Sequence, residues 1–531
     1  MKKRCLLLIL ALLWLPLQPA VLGQTLPAKN GDIVILYEND VHGSIDGYPL
    51  MSALRDQMRA LTPHVAVVSC GDFLSGTPLG SVSHGRYLVR MMNAVGYDYV
   101  TLGNHEFDFG IDTLARRMEE LSATVLCGNF ASLTDGVPYY LCHAVRQFGG
   151  VKVAFVGITT PTAPTSSTPM FFQDSMGHWL YTFYPTVLDS VVQHCVDEVR
   201  RQGAEHVVVL SHLGDIDLPH LVAATTGIDV VLDGHSHSVI PRTLLLNRDG
   251  GEVLWTSTGS NFKNIGRLVI PRDGKITCEL LPTAAMPPAT NAVADTLRAI
   301  RQAYDAVASR VVGHTPMRLW RKGCEGRRYD SPMGNFFSDA FLALTMNAGA
   351  DMALMNSGGI RDEIRAGEIR FGDLYSAAPF DNQLCLVEMS GQSILDGLEM
   401  GCRLFPLVGG GFLQVSGIMF EIDSTLPSTV VCDENGVFVR VAGARRVKNV
   451  RVWDARTRQY RPLQPERTYR VAGCDYTLLR QGDGHRFPDV KIVDPAVCPY
   501  VEAVERYLRD YLGGIVGEYQ YGHPQGRITV R

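Results

Sequence analysis

The chain has 531 residues, 46% of them apolar, enough to bury a large core and to divide into two or more domains, which excludes a small scaffold stapled by disulfides. Its 54 acidic and 49 basic residues leave a net charge of −5. No basic tail or stripe offers itself to a nucleic acid polymer. The 12 cysteines are spread thinly and form no CxxC pattern, so most read as packing residues, with a few disulfides permitted if the chain is exported.

Residues 1–23 read as a signal peptide. Lys2, Lys3 and Arg4 form the basic start, Cys5 to Leu17 the apolar run, and Val21 and Gly23 the small residues before cleavage near Gly23/Gln24. That run is shorter than the ~20 residues a spanning helix needs. The mature chain is therefore expected to be periplasmic or secreted, without a stable membrane anchor. Cleavage removes three basic residues, so 46 face 54 acidic ones and the net charge falls to about −8.

From residue 31 onward, short β-branched runs alternate with helical stretches, the pattern of an α/β fold. IVILY (33–37) leads into ENDVHG, VAVVS (65–69) into CGDFLSG, and YVTL (99–102) into GNHEFD. HVVVL (206–210) leads into SHLGD, and DVVL (229–232) into DGHSHS. Five strands thus deliver Asp, His or Asn just past their carboxyl ends, where layered α/β folds bind ligands. Oxygen and imidazole donors from five loops suit a pair of borderline divalent ions, with one aspartate shared between them at a spacing of about 4 Å. Residues 290–313 place Val293, Leu297, Ile300, Tyr304, Val307 and Val311 at helical spacing and predict a connecting helix. Beyond it the chain is rich in strands and turns and ends in a predicted helix near 499–512.

In this order, NDVHG, GDFLSG, GNHEFD, SHLG and GHSH resemble the calcineurin-like metallophosphoesterase domain. The later NSGGIR, PFDN, FLQVSG and QGDG resemble the C-terminal domain of the 5′-nucleotidase and UDP-sugar hydrolase family. The resemblance implies a four-layer αββα domain over 24–289, a linker helix over 290–313 and an α+β substrate-binding domain over 314–531. Carried over by motif, Asp40, His42 and His237 would hold one divalent ion and Asn104, His212 and His235 the other, with Asp72 bridging. Zinc, manganese and cobalt are the candidate metals. A water between two such ions becomes a hydroxide nucleophile.

His105 and Asp108 form the expected catalytic dyad, the carboxylate fixing the imidazole's tautomer, and Glu106 suits a role orienting a ligand. Arg361 and Arg403, with Arg365 a weaker candidate, resemble the family's substrate-anion arginines. Phe412 and Tyr476 resemble the aromatic pair that sandwiches a nucleobase, and Asp483 the nucleoside contact. Two departures bear on that clamp: QGDG stands where the family usually has GGDG, and the stretch from Tyr476 to Asp483 is one residue longer.

The implied activity is release of phosphate from nucleoside 5′-monophosphates in nucleotide catabolism, with nucleotide diphosphate sugars as further substrates. The alternative within the enzyme class is a 2′,3′-cyclic nucleotide phosphodiesterase or 3′-nucleotidase. The alternative outside it is a non-catalytic nucleotide-binding or adhesion protein, disfavoured because every expected ligand position holds a competent side chain.

Overall fold

The computed structural model describes residues 28–174, 177–321 and 326–531, so the expected signal peptide lies outside the described residues. Two six-stranded sheets build the N-terminal half. In the first, the strands Ile33–Glu38, Val65–Ser69, Tyr99–Val100 and Thr124–Val125 run parallel, and Asn264–Ile270 and Thr277–Pro282 extend the edge antiparallel. In the second, Val151–Thr159, His206–His212, Val230–Leu232 and Glu252–Thr258 run parallel between antiparallel edge strands.

The sheets face each other. Ile35, Tyr37, Ala66 and Val68 of one meet Phe155, Val208, Leu210 and Val230 of the other in one fully buried core. Alternate residues point outward: Val34, Leu36, Val65 and Val67 beneath the helices Gly47–Leu61 and Arg86–Val95, and Val156, Val207 and Val209 beneath Leu188–Arg201 and Gly214–Ala224. Strands covered on both faces read as continuous apolar runs, which is how these segments read in sequence. The layers are therefore αββα. YVTL is the exception, since only Tyr99 and Val100 pair as a strand before the chain turns.

The connector runs as a helix from Ala292 to Ala308, with Asn291 capping it by accepting the Ala294 N–H at 3.0 Å. Val293 and Ile300 pack into the N-terminal core. Its far end meets Gly372, where an added Cβ would lie 3.3 Å from the Tyr304 hydroxyl. The predicted helix is shorter than expected: Val311 opens a strand, Val311–Thr315, that pairs with Gly367–Arg370.

The C-terminal half is built on a five-stranded sheet in the order Leu413–Ser416, Met352–Asn356, Thr468–Cys474, Gln383–Ser390, Lys491–Pro499, with a separate four-stranded sheet of Gln459–Pro462, Val447–Asp454, Ile418–Ile422 and Ile528–Val530. The helices Pro332–Thr345 and Tyr500–Arg506 cover one face, and Gly391–Gly401 covers the other. The two halves touch: the Arg480 guanidinium lies 5.7 Å from the Phe171 ring centre, and Gln173 Nε2 lies 3.5 Å from Gln481 Oε1. No described helix is long and apolar enough to cross a membrane, and the ten described cysteines are all free.

Leu210 lies in the core between the sheets, two residues before the ligand-bearing end of its strand. Leu210→Ala is expected to lower unfolding free energy by about 2–5 kcal/mol, read as a lower denaturant midpoint with an unchanged slope.

Candidate active site

The carboxyl ends of strands from both sheets open on one edge, and the polar loops that follow them converge there. One ligand atom each from Asp40, His42, Asp72 and His237 lies within 4.8 Å of all the others. His42 Nε2 sits 3.7 Å from both Asp40 Oδ1 and Asp72 Oδ2, and His237 Nε2 3.4 Å from Asp40 Oδ1. Next to this group, His212 Nε2 lies 3.1 Å from Asp72 Oδ2, and the His212 and His235 rings are 5.3 Å apart. Asp72 thus belongs to both groups.

Local structure aims these atoms. Five of the residues have left-handed backbones: Asp40 at φ 52°, His42 at 46°, Asp72 at 59°, His235 at 77° and His237 at 58°. Each costs about 1–2 kcal/mol in a residue with a Cβ, and such strain persists where the surroundings over-determine it. Gly71 and Gly103 let two of the loops touch, since a Cβ on Gly71 would lie 2.4 Å from the Gly103 nitrogen.

Asp40 Oδ2 takes a hydrogen bond from Asn39 Nδ2 at 2.7 Å, and the His235 N–H is shared between Oδ2 at 2.9 Å and Oδ1 at 3.1 Å, while Oδ1 also faces the His42 and His237 rings. Asp72 Oδ1 accepts the His105 N–H at 2.8 Å, leaving Oδ2 for the cluster. His212 Nδ1 donates to the Cys70 carbonyl at 2.6 Å, so Nε2 carries the inward-facing role.

Among the buried atoms here without a hydrogen-bond partner are Asn104 Oδ1, His42 Nδ1 and His212 Nε2, the last of which meets the Asp72 carboxylate. The Asn104 amide is oriented by Nδ2, which donates to the Ser166 carbonyl at 3.4 Å. An oxygen and a nitrogen left unsatisfied beside two buried carboxylates fit cations of the oxygen- and imidazole-binding type. Burial alone would raise the Asp72 carboxyl, but His212, His105 and His42 together hold it well below the usual carboxylate range. Against the effect of burial, Asp72 and Asp40 push His212 up to about 10. Burial, with His212 next, pushes His235 down to about 4, leaving a neutral imidazole competent as a ligand.

Glu106 is fully buried and accepts four backbone N–H groups: Asp72 and Phe73 at 2.7 Å, Leu74 at 3.0 Å and Gly103 at 2.6 Å. It ties the Asp72 loop to the Asn104 loop and touches no ligand side chain directly. Its spacing from the strand end carries no signal of this role, because three of the four amides lie more than 30 residues away in sequence.

His105 Nδ1 lies 2.8 Å from Asp108 Oδ2, and the Ser75 hydroxyl donates to the same oxygen. Burial opposes protonation of His105, yet Asp108 and Asp72 outweigh it and raise its pKa above the ordinary histidine value. The imidazole stacks on Phe380 of the C-terminal half at 5.9 Å and 20°, and the Arg361 guanidinium lies 5.5 Å from the centre of the same ring. Ser75 and Phe380 sit inside GDFLSG and PFDN, yet neither was expected at the site.

The expected substrate residues divide. Arg361, Arg403 and Asp483 come together, and Asn356 Nδ2 donates to Asp483 Oδ2 at 3.2 Å. Burial, with Arg327 next, pushes Arg361 down to about 10. Arg365 does not join them: it is exposed on the turn before Gly367–Arg370. Phe412 is 2% exposed and packs with Cys402, Phe405 and Leu413, so its ring is closed to a base in this arrangement. Its carbonyl accepts the Ser357 N–H at 2.8 Å and hydroxyl at 2.6 Å. One face of Tyr476 is covered by Gly482, where a Cβ would lie 2.3 Å from the ring, and its hydroxyl accepts the Asp483 N–H at 3.1 Å. Tyr476 supports the QGDG turn, in which Gln481 takes a left-handed backbone at φ 60°.

Fold and cluster together define a metallophosphoesterase-type centre completed by a second domain. Residues 33–239 match the family model for calcineurin-like phosphoesterase, and residues 311–491 that for the 5′-nucleotidase C-terminal domain. The chain is 26% identical over 541 residues to the 5′-nucleotidase of Bos taurus, covering 91% of this chain and 89% of that protein. It is 26% identical to the trifunctional nucleotide phosphoesterase protein YfkN of Bacillus subtilis, but spans 29% of that protein's length. The crystal structure of a 5′-nucleotidase precursor from Thermus thermophilus superposes with a TM-score of 0.80 at 27% identity, covering 94% of this chain and 99% of the other. The chain belongs to the 5′-nucleotidase family and is a hydrolase.

Because Glu106 organises two ligand loops, Glu106→Gln puts an N–H₂ against backbone donors and is expected to weaken divalent-metal affinity about 10- to 100-fold, measured by metal titration. His212 holds a proton below about pH 10, and metal must displace it. Metal uptake at pH 7 is therefore expected to release protons, and affinity to fall as pH is lowered; pH-independent uptake would exclude His212 as a ligand.

Proposed function

We propose that the mature chain is an exported, two-metal phosphohydrolase acting on nucleoside 5′-monophosphates, with residues 24–289 carrying the chemistry and 314–531 the recognition. The observation that carries this reading is the pairing of unsatisfied buried donors around Asp72 with a His105–Asp108 dyad facing Arg361. Asp40, His42 and His237 would hold one ion, Asn104, His212 and His235 the other, and Asp72 both. The substrate class is supported by relatives named 5′-nucleotidase, and export by the N-terminal basic and apolar segment.

When bound, a pair of divalent ions supplies an acidified water and compensates charge on the phosphoryl oxygens. The chain's own residues do the rest. Arg361 forks onto the phosphoryl group and is kept in place by the Phe380 ring. His105, protonated at both nitrogens, gives its Nε2 proton to the departing 5′ oxygen as the P–O bond breaks. Asp108, bonded to Nδ1, stabilises the imidazolium before transfer and fixes which nitrogen faces the substrate.

Phosphate release from AMP, UMP, 3′-AMP, 2′,3′-cyclic AMP, UDP-glucose and p-nitrophenyl phosphate, with and without manganese, zinc or cobalt, tests the reading. The expected result is metal-dependent turnover fastest on a 5′-monophosphate; fastest turnover on 3′-AMP or the cyclic ester would replace the substrate assignment, and full activity after chelation would end the metal assignment. His105→Ala is expected to lower kcat by about 10²- to 10⁴-fold with metal content unchanged. His105 must be protonated to act, so activity falls as pH rises through its pKa, which Asp108 raises. Asp108→Asn is expected to move that alkaline limb to lower pH.

A further inference from the structure

Two of the described cysteines stand apart from the others. Cys142 ends the loop before the edge strand His143–Phe148, where its carbonyl accepts the Gly157 N–H at 3.0 Å, and Cys195 lies on the helix Leu188–Arg201 that covers this sheet. Both flank Gly128. The point where a Cβ on that glycine would stand is 2.6 Å from the Cys142 β-carbon and 3.5 Å from the Cys195 sulfur, so the missing side chain keeps this space for the two thiols. Each thiol is a hydrogen-bond neighbour of the other.

The pair is asymmetric. Cys142 is half-buried beside exposed Leu141, within reach of reagents in solution, whereas Cys195 is 4% exposed. His143 Nδ1 lies 3.0 Å from the Cys142 sulfur. On the other side of that ring, Nε2 faces the Gln202 amide nitrogen at 3.3 Å, and a contact of 3.4 Å with Glu198 Oε1 keeps this nitrogen turned as a donor. Nε2 must then accept, so the neutral imidazole carries its proton on Nδ1 and donates it to sulfur. Cys195 first, then the hydrogen bond and charge of His143, hold the Cys142 thiol below the ordinary thiol value against burial and Glu198. Cys142 in turn, ahead of burial, pushes Cys195 up. Burial pushes up the other eight described thiols. An accessible thiol that ionises early, beside a buried one that does not, is the arrangement of an attacking and a resolving cysteine.

We propose that Cys142 and Cys195 form a redox-active dithiol that reacts with external disulfides and closes into a covalent clip between the edge strand and the helix. The Cys142 thiolate attacks one sulfur of a disulfide R–S–S–R; a bond from Cys142 to that sulfur forms, the original S–S bond breaks and one thiolate leaves. That thiolate takes the Cys195 proton, Cys195 attacks the Cys142 sulfur, and the second thiolate leaves and is protonated by water. Two protein thiols are oxidised to one disulfide, and one external disulfide is reduced to two thiols. This chemistry does not depend on the phosphohydrolase reading.

Peptide mapping by mass spectrometry tests the proposal on the reduced full chain, equilibrated with mixtures of reduced and oxidised glutathione and then alkylated. The expected product is one linked peptide pair, Cys142 to Cys195, formed as oxidised glutathione rises and before any other described cysteine is modified. Cys195→Ser is expected to trap glutathione on Cys142, and Cys142→Ser to leave Cys195 reduced. In the reduced chain Cys142 is expected to react fastest with iodoacetamide at pH 7. His143→Ala is expected to slow that reaction at least about threefold at pH 7 and little at about pH 9, where a thiol ionises unaided; equal slowing at both would remove His143 from the assignment. Both thiols remaining open to alkylation at every glutathione ratio, Cys142 pairing with a different cysteine, or no glutathione adduct in Cys195→Ser would overturn the proposal.

Discussion

Asp40 and Asp72 are 0% and 1% exposed and aim oxygens at the same small space. Two buried carboxylates that close repel, and the low-dielectric interior strengthens the repulsion. Glu38, also fully buried, answers it by holding its proton: burial first, then Asp40 and Glu106, push it up to about 8, so that it is neutral at pH 7. Most of what surrounds this point answers to that constraint. His42, His212 and His237 crowd the two aspartates, Glu106 is held by four amides, and Arg361 faces the opening. The remaining need for positive charge is what a pair of divalent cations would meet. The αββα sandwich is the means by which strand ends from two sheets deliver these groups to one edge.

The C-terminal half does more than cover that edge. Phe380 touches both His105 and Arg361, so one aromatic ring sets the separation between the proposed acid and the proposed anion clamp. The connecting helix is buried against the N-terminal half through Val293 and Ile300 and ends at Ala308.

The candidate cluster is legible in the sequence because each candidate ligand follows an apolar run whose length and composition already mark a buried strand. Asp40, His42, Asp72, Asn104, His212, His235 and His237 can be read that way, and so can the His105–Asp108 pair, three residues apart on one turn. Glu106, Ser75 and Phe380 cannot, since each role rests on a partner more than 30 positions distant: Asp72, Asp108 and His105 respectively. Phe412 differs again: its motif resembles a binding element, while in this structure its ring lies in a buried cluster and its carbonyl accepts the Ser357 hydroxyl. The end of the connecting helix is hidden too, because Val311 keeps the helical spacing while pairing with Arg370 as a strand.

The five left-handed backbones around the cluster have an evolutionary consequence. Glycine at Asp40, His42, Asp72, His235 or His237 would relax the local strain, which is of the order of 1–2 kcal/mol per site, while deleting a donor. Heat tolerance and metal chemistry therefore pull these positions in opposite directions. A lineage, or a laboratory selection, rewarded for robustness alone would drift toward glycine here and end as an inert scaffold.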